Sequence, residues 1–527
     1  MNFIHFKKLG LLYIALICFI NQASGQTLFP NLIKNKDGKI TKVADSLGNV
    51  VPDFSYAGYK ASEKAIPYVE AQVFIPNQTE DATSKIQLAI DYVSALKPNA
   101  SGFRGAVLLD EGTFEIKGSL YLKNSGVVLR GSGNNKTIVL GTGIKREAII
   151  RVLGVDNKTY KDTLKIDANY VAVGTKTIPL KNTSKLKVSD EIIIRKPLTN
   201  AWIKTLQMDY FGGETGWIGW KTRDWDITAS RVVSNIEGNK IILNAPLTFN
   251  AVDAFNQAEI ITYTWTGRIE NVGIENLSIH STFDDTNPKD EEHRWYGITL
   301  ENVKNAWVRQ VNFKHLAGSA VSVLKSAQQI TVEDCMSTDP VSEIAAFRRQ
   351  TFYTEGQQTL FQRCYSEHGY NDFAVGGYGT TGPNAFVQCE SLLSKNTSGA
   401  IGSWGTGVLF DVVKIDGNAL SFNNSEQSRR GSGWTAANSV IWETSASKIA
   451  CYSPPTAQNW AFGVWGGIMS GNAHWKDVNN HISPRSLFYA QLENRLGELP
   501  MKPYVFDTGS APTSSPTPVQ PILCKIS

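Results

Sequence analysis

The chain has 527 residues, of which 42% are hydrophobic and 19% are charged, and this balance excludes a disordered protein. Lys and Arg number 52 against 48 Asp and Glu, so the formal net charge of +4 gives no reason to expect a nucleic acid as partner. The length is enough for one large core or for several domains.

Residues 1–25 have the order of a secretory signal peptide. Lys7 and Lys8 precede an apolar run from Leu9 to Ile20, which is short for a membrane span, and small residues follow it. We therefore expect an exported protein, periplasmic or secreted, without a membrane span. An N-terminal segment, residues 26–75, comes before the first regular pattern.

Residues 76–154 combine a helix with the first strand units. The segment 81–91 places apolar side chains on one helical face behind an acidic start, as in the cap of a solenoid. The segments 105–118 and 126–133 then have the pattern of strand, turn and strand.

Residues 155–265 interrupt this pattern, and we predict an inserted β-rich subdomain with strands at 190–195 and 240–247. The aromatic residues between these strands either fill the subdomain's own core or form a wall of a binding groove, since rings stack on sugar faces. They are Trp202, Tyr210, Phe211, Trp217, Trp220 and Trp225.

Residues 266–505 contain a short motif that recurs every 23 to 34 residues. Each copy alternates apolar and polar residues, which predicts a short strand with one buried face, and only stacking of successive copies can bury that face. This predicts an all-β protein, a right-handed parallel β-helix (solenoid) with an N-terminal capping helix and the inserted β-rich subdomain. The sixth residues of the motif are Leu277, Val311, Cys335, Cys364, Cys389 and Val412.

Three of the cysteines occupy this repeated inward position, so we predict stacked free thiols that act as small hydrophobic side chains. Cys451 and Cys524 either pair, tying down a Ser/Thr/Pro-rich tail at 506–527, or stay free.

The capping helix, followed by "VLLDEGTFEIKGSLYL" and then "GVVLRGSG", resembles the opening of the pectate-lyase-like superfamily. The resemblance covers residues 81–150 and extends over 266–495 by the repeat pattern. It implies a right-handed β-helix that acts on an acidic polysaccharide. The capped solenoid itself predicts a monomer. It does not separate lyases from hydrolases or from binding proteins, which share this scaffold.

Equal offsets in successive coils stack about 4.8 Å apart, so the repeat predicts a column of functional side chains. Four residues after the anchors come His315, Asp339 and His368, and then Leu393 and Asp416. Further candidates near this column are Tyr370, Asp372, Arg348, Arg349 and Tyr353.

These residue types suit β-elimination at a uronate, in which a base takes the C5 proton, a cation neutralises the carboxylate and an acid protonates the group leaving C4. We predict His368 or Tyr370 as base and His315 or Tyr370 as acid. Arg348 or Arg349 is the predicted neutraliser, and only one of the two can readily face a groove because neighbouring strand residues point to opposite sides. The leaving group is a sugar or water, and the enzyme is a carbon–oxygen lyase in either case.

Substrate contacts are predicted at two places. Asp339, Tyr353 and Asp372 belong to the column region. The second place is a basic and aromatic cluster, which suits a carboxylated or sulfated sugar. It consists of Trp404, Arg429, Arg430 and Trp434.

Two alternatives stay open. A glycoside hydrolase needs two carboxylates in one groove, and the available acids are Asp339, Glu343, Glu367, Asp372 and Asp411. A carbohydrate-binding β-helix without catalysis is the other alternative. No cofactor is firmly implied and no metal motif is visible, although calcium can bind scattered acids such as Asp339, Glu343 and Asp372.

Overall fold

The computed structural model describes residues 30–34, 39–211, 219–345 and 347–500. Most of its strands belong to one 28-stranded sheet whose neighbouring strands are parallel, and each strand pairs with the equivalent strand one coil later. This is a right-handed parallel β-helix, as the repeat predicts. None of the helices in these ranges has the length and apolar composition that a membrane crossing needs.

The β-helix has three faces, which we name in chain order. Face 1 consists of Ala71–Ile75, Gly105–Leu109, Val127–Arg130, the first halves of Ile269–Ser281 and Val303–Lys314, Gln328–Glu333, Gln357–Gln362, Thr381–Val387, Gly405–Asp411, Ala436–Ala437, Val440–Trp442, Trp460–Phe462 and His474–Lys476. Face 2 consists of Gly112–Ile116, Thr137–Gly141, the second halves of Ile269–Ser281 and Val303–Lys314, Met336–Thr338, Tyr365–Glu367, Glu390–Leu392 and the starts of Lys414–Phe422 and Ser445–Cys451. Face 3 consists of Leu120–Leu122, Ala148–Leu153, Tyr296–Glu301, Ser319–Val323, Gln350–Thr354, Asn371–Val375, Ser398–Ala400, the ends of Lys414–Phe422 and Ser445–Cys451, and Ile468–Ser470.

The interior is a set of ladders of like side chains. Phe361, Phe386 and Phe410 stack with ring centroids 4.9 Å and 4.8 Å apart. Cys335 and its equivalents in the next two coils are buried free thiols, which confirms the prediction, and burial raises the pKa of the Cys364 thiol. Such ladders follow from the repeat, because a side chain at a given inward position meets its own counterpart one coil away.

Single residues with positive φ make the bend between face 1 and face 2. The N–H of such a residue donates to the next coil; one example is Arg363, which donates to the Val387 carbonyl over 2.9 Å. The left-handed region costs a non-glycine residue about 1–2 kcal/mol, and the parallel hydrogen bonds on both sides hold it there. The column contains Asn276, Gln310, Asp334, Arg363, Gln388, Val412 and Glu443.

This bend corrects the predicted register in one coil. Glu390 pairs with Lys414, so Val413 lies opposite Cys389, and Val412 is the bend residue with φ 58°. The inward anchor of this coil is therefore Val413, one residue later than predicted, and Asp416 is not part of the predicted functional column.

Within the described ranges, four α-helices lie outside the coils: α1 (Thr83–Ala95), α2 (Asn200–Thr205), α3 (Ser428–Gly431) and α4 (Leu487–Leu496). Helix α1 buries Ile86, Ile90 and Val93 against the main core and caps the β-helix, as its apolar spacing predicts. Asp81 accepts a bond of 3.0 Å from the Thr83 N–H and fixes its start.

The inserted subdomain is a six-stranded antiparallel sheet in the order Thr159–Lys165, Glu259–Thr264, Glu191–Pro197, Asp226–Glu237, Lys240–Leu243 and Thr177–Pro179. It packs on the corner between face 3 and face 1. Gln328 Nε2 donates to the Ser230 carbonyl over 3.1 Å, and Thr381 Oγ1 donates to the Thr228 carbonyl over 2.7 Å.

The subdomain's buried aromatic residues belong to its core. Trp202, Trp220 and Trp225 pack in one cluster, which confirms the first of the two predicted roles for these three residues. Tyr210 is 53% exposed, and Trp217 lies outside the described residues.

The outer side of face 1 is covered by both ends of the described chain. Residues 54–62, here called the strap, cross it: Tyr59 N–H donates to Thr331 Oγ1 over 2.8 Å, and Gln358 Nε2 donates to the Tyr56 carbonyl over 3.0 Å. Helix α4 covers the later coils, where Tyr489 OH donates to Gln362 Oε1 over 3.0 Å. A hairpin of Asn31–Lys34 and Ile40–Val43 precedes the strap. The corner between faces 2 and 3 lies away from all of these parts.

Candidate functional site

The corner between faces 2 and 3 carries a cluster that we call the histidine edge, formed by His280, Lys314, His315 and Asp339. His280 and Lys314 are paired outward residues of face 2 in adjacent coils. His315 follows Lys314 and Asp339 takes the equivalent place one coil later, both with positive φ. The same backbone position recurs at His368 and Leu393.

Side chains of the histidine edge contact one another along the corner. The ring centroids of His280 and His315 are 6.4 Å apart, and the ring of Phe283 lies 4.8 Å from that of His315. Lys314 Nζ is 3.7 Å from Asp339 Oδ2. The two imidazoles are half-buried whereas Asp339 is exposed, so the rings are held in place and still reach solvent.

The surroundings of the two imidazoles differ in charge. Burial, the neighbouring His315 and Lys314 lower the pKa of His280 to about 4. Burial also lowers the pKa of His315, but Asp339 acts in the opposite direction. His280 is therefore neutral at pH 7 and able to accept a proton, and His315 is the imidazole whose charged form a carboxylate favours.

Two corner loops, residues 282–295 and 339–349, buttress this edge. The buried ring of His293 connects them: its Nδ1 is 3.1 Å from Ser281 Oγ and its Nε2 is 3.0 Å from the Val341 carbonyl oxygen. Phe283, which contacts His315, belongs to the first loop. The position of His315 thus depends on a loop fixed at several points.

His368 and Tyr370 lie on the same corner, two coils beyond His315. At about 4.8 Å per coil this places His368 roughly 10 Å along the corner from His315. Both side chains are half-buried, and the Tyr370 N–H donates to the Arg349 carbonyl over 2.9 Å. The structure therefore brings Asp339 close to His315 and places His368 and Tyr370 farther along the same corner.

The two predicted arginines have different surroundings. Arg349 is 7% exposed, its Nη2 donates to the Ser342 carbonyl over 2.7 Å, and burial lowers its pKa. Arg348 forms a two-bond ion pair with Glu291, one bond through Nε and one through Nη2 at 3.0 Å. Arg349 is thus directed into the protein, and Arg348 is committed to a loop carboxylate.

Asp372 and Tyr353 do not face the histidine edge. Asp372 lies inside the β-helix at 0% exposure, where Ser366 Oγ donates to it over 2.5 Å and the Gly369 N–H over 3.1 Å. Burial raises its pKa. It stabilises the turn before face 3, and a buried carboxylate there cannot contact a polysaccharide. Tyr353 is on face 3, and its hydroxyl donates to Glu355 over 2.5 Å.

The predicted cluster around Trp404 lies against the inserted subdomain. Trp404 is 4% exposed and its ring centroid is 4.7 Å from that of Trp202. Trp434 Nε1 donates to the Leu206 carbonyl over 3.0 Å. Trp404 therefore has no face open for a sugar. Arg429 and Arg430 belong to helix α3, and their side chains are outside what the structure describes.

The three acids considered for calcium lie in different surroundings. Asp372 is interior, whereas Asp339 is beside Lys314 and Glu343 is 3.1 Å from Lys289. Among the described residues, no group of three or more His, Cys, Asp or Glu could hold a metal ion. Asp411, considered for a hydrolase, is buried beneath helix α4.

Sequence reasoning missed His280 and Lys314. His280 comes three residues after the anchor Leu277, and Lys314 comes three residues after the anchor Val311. The predicted column lies four residues after each anchor, one place later. The outward residue before each bend belongs to the same corner, so comparing two adjacent offsets would have found both. Phe283 gives no such signal because its contact with His315 depends on the path of a loop.

A cavity of about 310 Å³ lies elsewhere, between the segment before the strap and the inserted subdomain. Its lining includes Val50, Tyr170 and Thr177, and Tyr170 OH donates to Asn49 Oδ1 over 2.8 Å. The acid–base groups are on the corner between faces 2 and 3, so we place the candidate site there.

Comparison with known proteins gives limited likenesses. A family model described as a domain of unknown function (DUF6298) matches residues 473–523. No curated protein matches the chain.

Among solved structures, the chain is similar to a polygalacturonase from Erwinia carotovora, with 12% identity over 79% of this chain and 98% of that one and a TM-score of 0.36. An alginate lyase from Paenibacillus has 8% identity over 78% and 100% of the two chains and a TM-score of 0.35. The tailspike protein gp49 from Pseudomonas phage LKA1 has 12% identity over 76% and 72% and a TM-score of 0.37. The assignment of the fold rests on the strand pairing of the chain itself.

Proposed function

We propose that this protein is a carbon–oxygen lyase that cleaves a uronate-containing polysaccharide or oligosaccharide by β-elimination at the histidine edge. The observation that carries the proposal is the contact between His280 and His315, two half-buried imidazoles of which only His315 has a carboxylate, Asp339, that favours its charged form, beside the cation of Lys314. A base, an acid and a carboxylate neutraliser are the groups this reaction needs.

Each role follows from the surroundings of the residue. His280 is neutral and takes the C5 proton, and the C5–H electrons form the C4–C5 double bond as the C4–O bond breaks. His315, whose protonated form Asp339 favours, gives a proton to the leaving oxygen. Lys314, paired with His280 across the two coils, faces the uronate carboxylate. The leaving oxygen belongs to a sugar or to water.

This assignment differs from the roles expected from the sequence. His368 and Tyr370, predicted as base or acid, are here proposed as substrate contacts two coils beyond His315 on the same corner. Lys314 takes the place of the two predicted arginines, because Arg348 is paired with Glu291 and the guanidinium of Arg349 is buried on Ser342. The resemblance to the pectate-lyase-like superfamily in residues 81–150 supports an acidic polysaccharide as substrate.

The test is ultraviolet absorbance of an unsaturated uronate, with mass spectrometry of the products, over a panel of uronate polysaccharides and their oligomers. We expect the wild-type protein to form this product and His280→Ala to lose about 10²–10⁴-fold in kcat, the usual contribution of a general base. His481→Ala is the matched control, because that imidazole is 80% exposed and lies near the C-terminal coils.

Three results would contradict the proposal. Full turnover by His280→Ala would remove His280 as base. New reducing ends without the absorbance would indicate a hydrolase, with Asp339 and Glu343 as the acids to examine. Retained binding with neither product would indicate a carbohydrate-binding protein.

A further inference from the structure

A second charged cluster stands at the far end of the loop that carries Phe283. It consists of Arg146, Glu291, Trp295 and Arg348 and is called the corner cluster. Arg146 belongs to the loop between faces 2 and 3 three coils before Asp339, and Arg348 belongs to the loop after Asp339. The coils thus bring together residues about 200 positions apart in sequence on the corner that holds the histidine edge.

The corner cluster contains more positive than negative charge. Arg348 binds Glu291 through two atoms, which neutralises that carboxylate. Arg146 shares the same carboxylate at 3.4 Å and is 58% exposed. The adjacent Glu147 forms an ion pair with the buried Arg294, with 3.6 Å between Oε2 and Nη1. Glu343 also acts on Arg348 and is paired with Lys289 at 3.1 Å. Four cations against three carboxylates leave one positive charge, and Arg146 is the most exposed of the three guanidiniums.

Trp295 holds the guanidiniums of Arg146 and Arg348 in position. The Arg146 guanidinium carbon is 4.9 Å from the Trp295 ring centroid and that of Arg348 is 5.6 Å away. Trp295 Nε1 donates to the Glu291 carbonyl over 3.0 Å, so the ring is fixed to the same loop. A planar guanidinium that is already oriented loses little freedom when it binds a carboxylate or a sulfate.

We propose that the corner cluster is an anion subsite in which Arg146 binds the carboxylate or sulfate of a sugar unit next to the one that reacts. This inference rests on the proposed function, since it takes an acidic polysaccharide as ligand. Phe283 contacts His315 at one end of loop 282–295, and Glu291 holds the two arginines at the other end. A chain lying along this corner therefore meets the acid–base pair and then Arg146.

The experiment measures binding apart from turnover. His280→Ala protein is titrated calorimetrically with oligogalacturonate, oligomannuronate and a sulfated uronate oligosaccharide, and with the same oligomers after reduction of their carboxyl groups. Arg146→Gln in that background is the test. Arg151→Gln is the matched control, because Arg151 belongs to the same coil and pairs with Glu301.

We expect Arg146→Gln to weaken binding of the charged oligomers about fivefold, as for an exposed ion pair, and to leave the reduced oligomers unaffected. With His280 intact, KM should rise by the same factor while kcat stays constant. A sulfate-bearing oligomer that stays Arg146-dependent after carboxyl reduction would identify sulfate as the bound group.

Equal binding by Arg146→Gln and its parent, an equal loss in Arg151→Gln, or absence of binding to every oligomer would overturn the subsite. Arg146-dependent binding without an unsaturated product would leave the subsite standing and reject elimination. An unsaturated product with an unchanged KM in Arg146→Gln would reject the subsite and keep the reaction.

Discussion

At His280, partial burial, the imidazole of His315 and the cation of Lys314 act together on one ring. Removing Lys314 should therefore raise the pKa of His280 from about 4 part of the way toward 6.5 in Lys314→Ala, because burial, the largest cause, remains. The measurement is an NMR titration of the imidazole C2–H, assigned with His280→Ala. Lys325→Ala, which removes an exposed lysine on the far side of face 3, is the control and should leave the titration unchanged. A titration of His280 near 6.5 in the wild-type protein would contradict this account.

The lowered pKa of His280 also determines the direction in which this group changes protein stability with pH. The pKa of His280 is lower in the folded protein than its ordinary value of 6.5, so the unfolded chain binds more protons between pH 4 and pH 6.5. The contribution of this group to stability is complete above pH 6.5 and falls as the pH drops toward 4.

Residues differ in how far the sequence could place them. His315 and Asp339 could be placed because their offset from the buried anchors is set by the strand itself. Arg349 and Asp372 could not, because both lie in or beside corner loops whose length varies from coil to coil, and the path of the loop decides which way they point. Trp404 could not, because the surface that buries it comes from residues some 200 positions earlier in the chain.

Helix α4 begins on a buried carboxylate of face 1. Asp411 accepts a hydrogen bond of 2.6 Å from Ser486 Oγ and one of 2.8 Å from the Phe488 N–H. Burial outweighs these bonds and raises the pKa of Asp411 to about 7. The helix is therefore held by a group that carries a proton in mildly acidic solution.

The docking of α4 should accordingly weaken as the pH rises. Between pH 3.8, the ordinary pKa, and about 7 the folded state binds more protons than the unfolded chain, so this contribution falls across that range. In Asp411→Asn we expect a lower melting temperature at pH 5, since one acceptor of the cap becomes a donor, together with a flatter dependence of the melting temperature on pH. Thermal unfolding from pH 4 to pH 8 checks this, with the exposed Asp416→Asn as control. An unchanged slope in Asp411→Asn would refute it.

At the scale of elements, the apolar patterns were enough to predict the coils, the capping helix and the insertion, because each is encoded in a local run of residues. Period-two alternation and the recurring anchors indicated the coils, and apolar residues on one helical face indicated the capping helix. The column of bend residues was not predicted. For this reason the sequence analysis assigned the inward position of that coil to Val412, whereas Val413 occupies it. A residue with positive φ shifts the inward register by one place without changing the apolar pattern around it.

For the whole molecule, one buried arginine joins the inserted subdomain to the β-helix. Arg231 is 1% exposed and donates to the carbonyls of Ser230, Ala245, Pro246 and Gly382 over 2.8 to 3.2 Å. Burial lowers its pKa to about 10, so it stays charged at neutral pH. The cation is balanced by carbonyl dipoles from both parts of the protein.

Arg231→Met should destabilise the protein by about 3 kcal/mol, because buried carbonyls lose their donors at about 1–3 kcal/mol for each unsatisfied group. Differential scanning calorimetry measures the effect. Arg195→Met is the control, since Arg195 is 43% exposed, pairs with Glu259 on the subdomain surface and should cost less than about 1 kcal/mol. Equal shifts for the two variants would show that Arg231 does not join the two parts.

The covering of face 1 by the strap and helix α4 also sets an order of events for folding. The strap precedes every coil that it crosses and α4 follows every coil, yet Arg495 of α4 donates to the carbonyls of Ser55 and Ala61 over 2.8 Å and 2.6 Å. These contacts close a loop of more than 400 residues, and closure of long loops comes late because its entropy must be lost first. Coils can wind one upon another from local contacts, but their apolar outer face stays open until the last helix arrives. A chain that lacks α4 would therefore form most of the β-helix but expose its apolar face 1, which would bind other apolar surfaces.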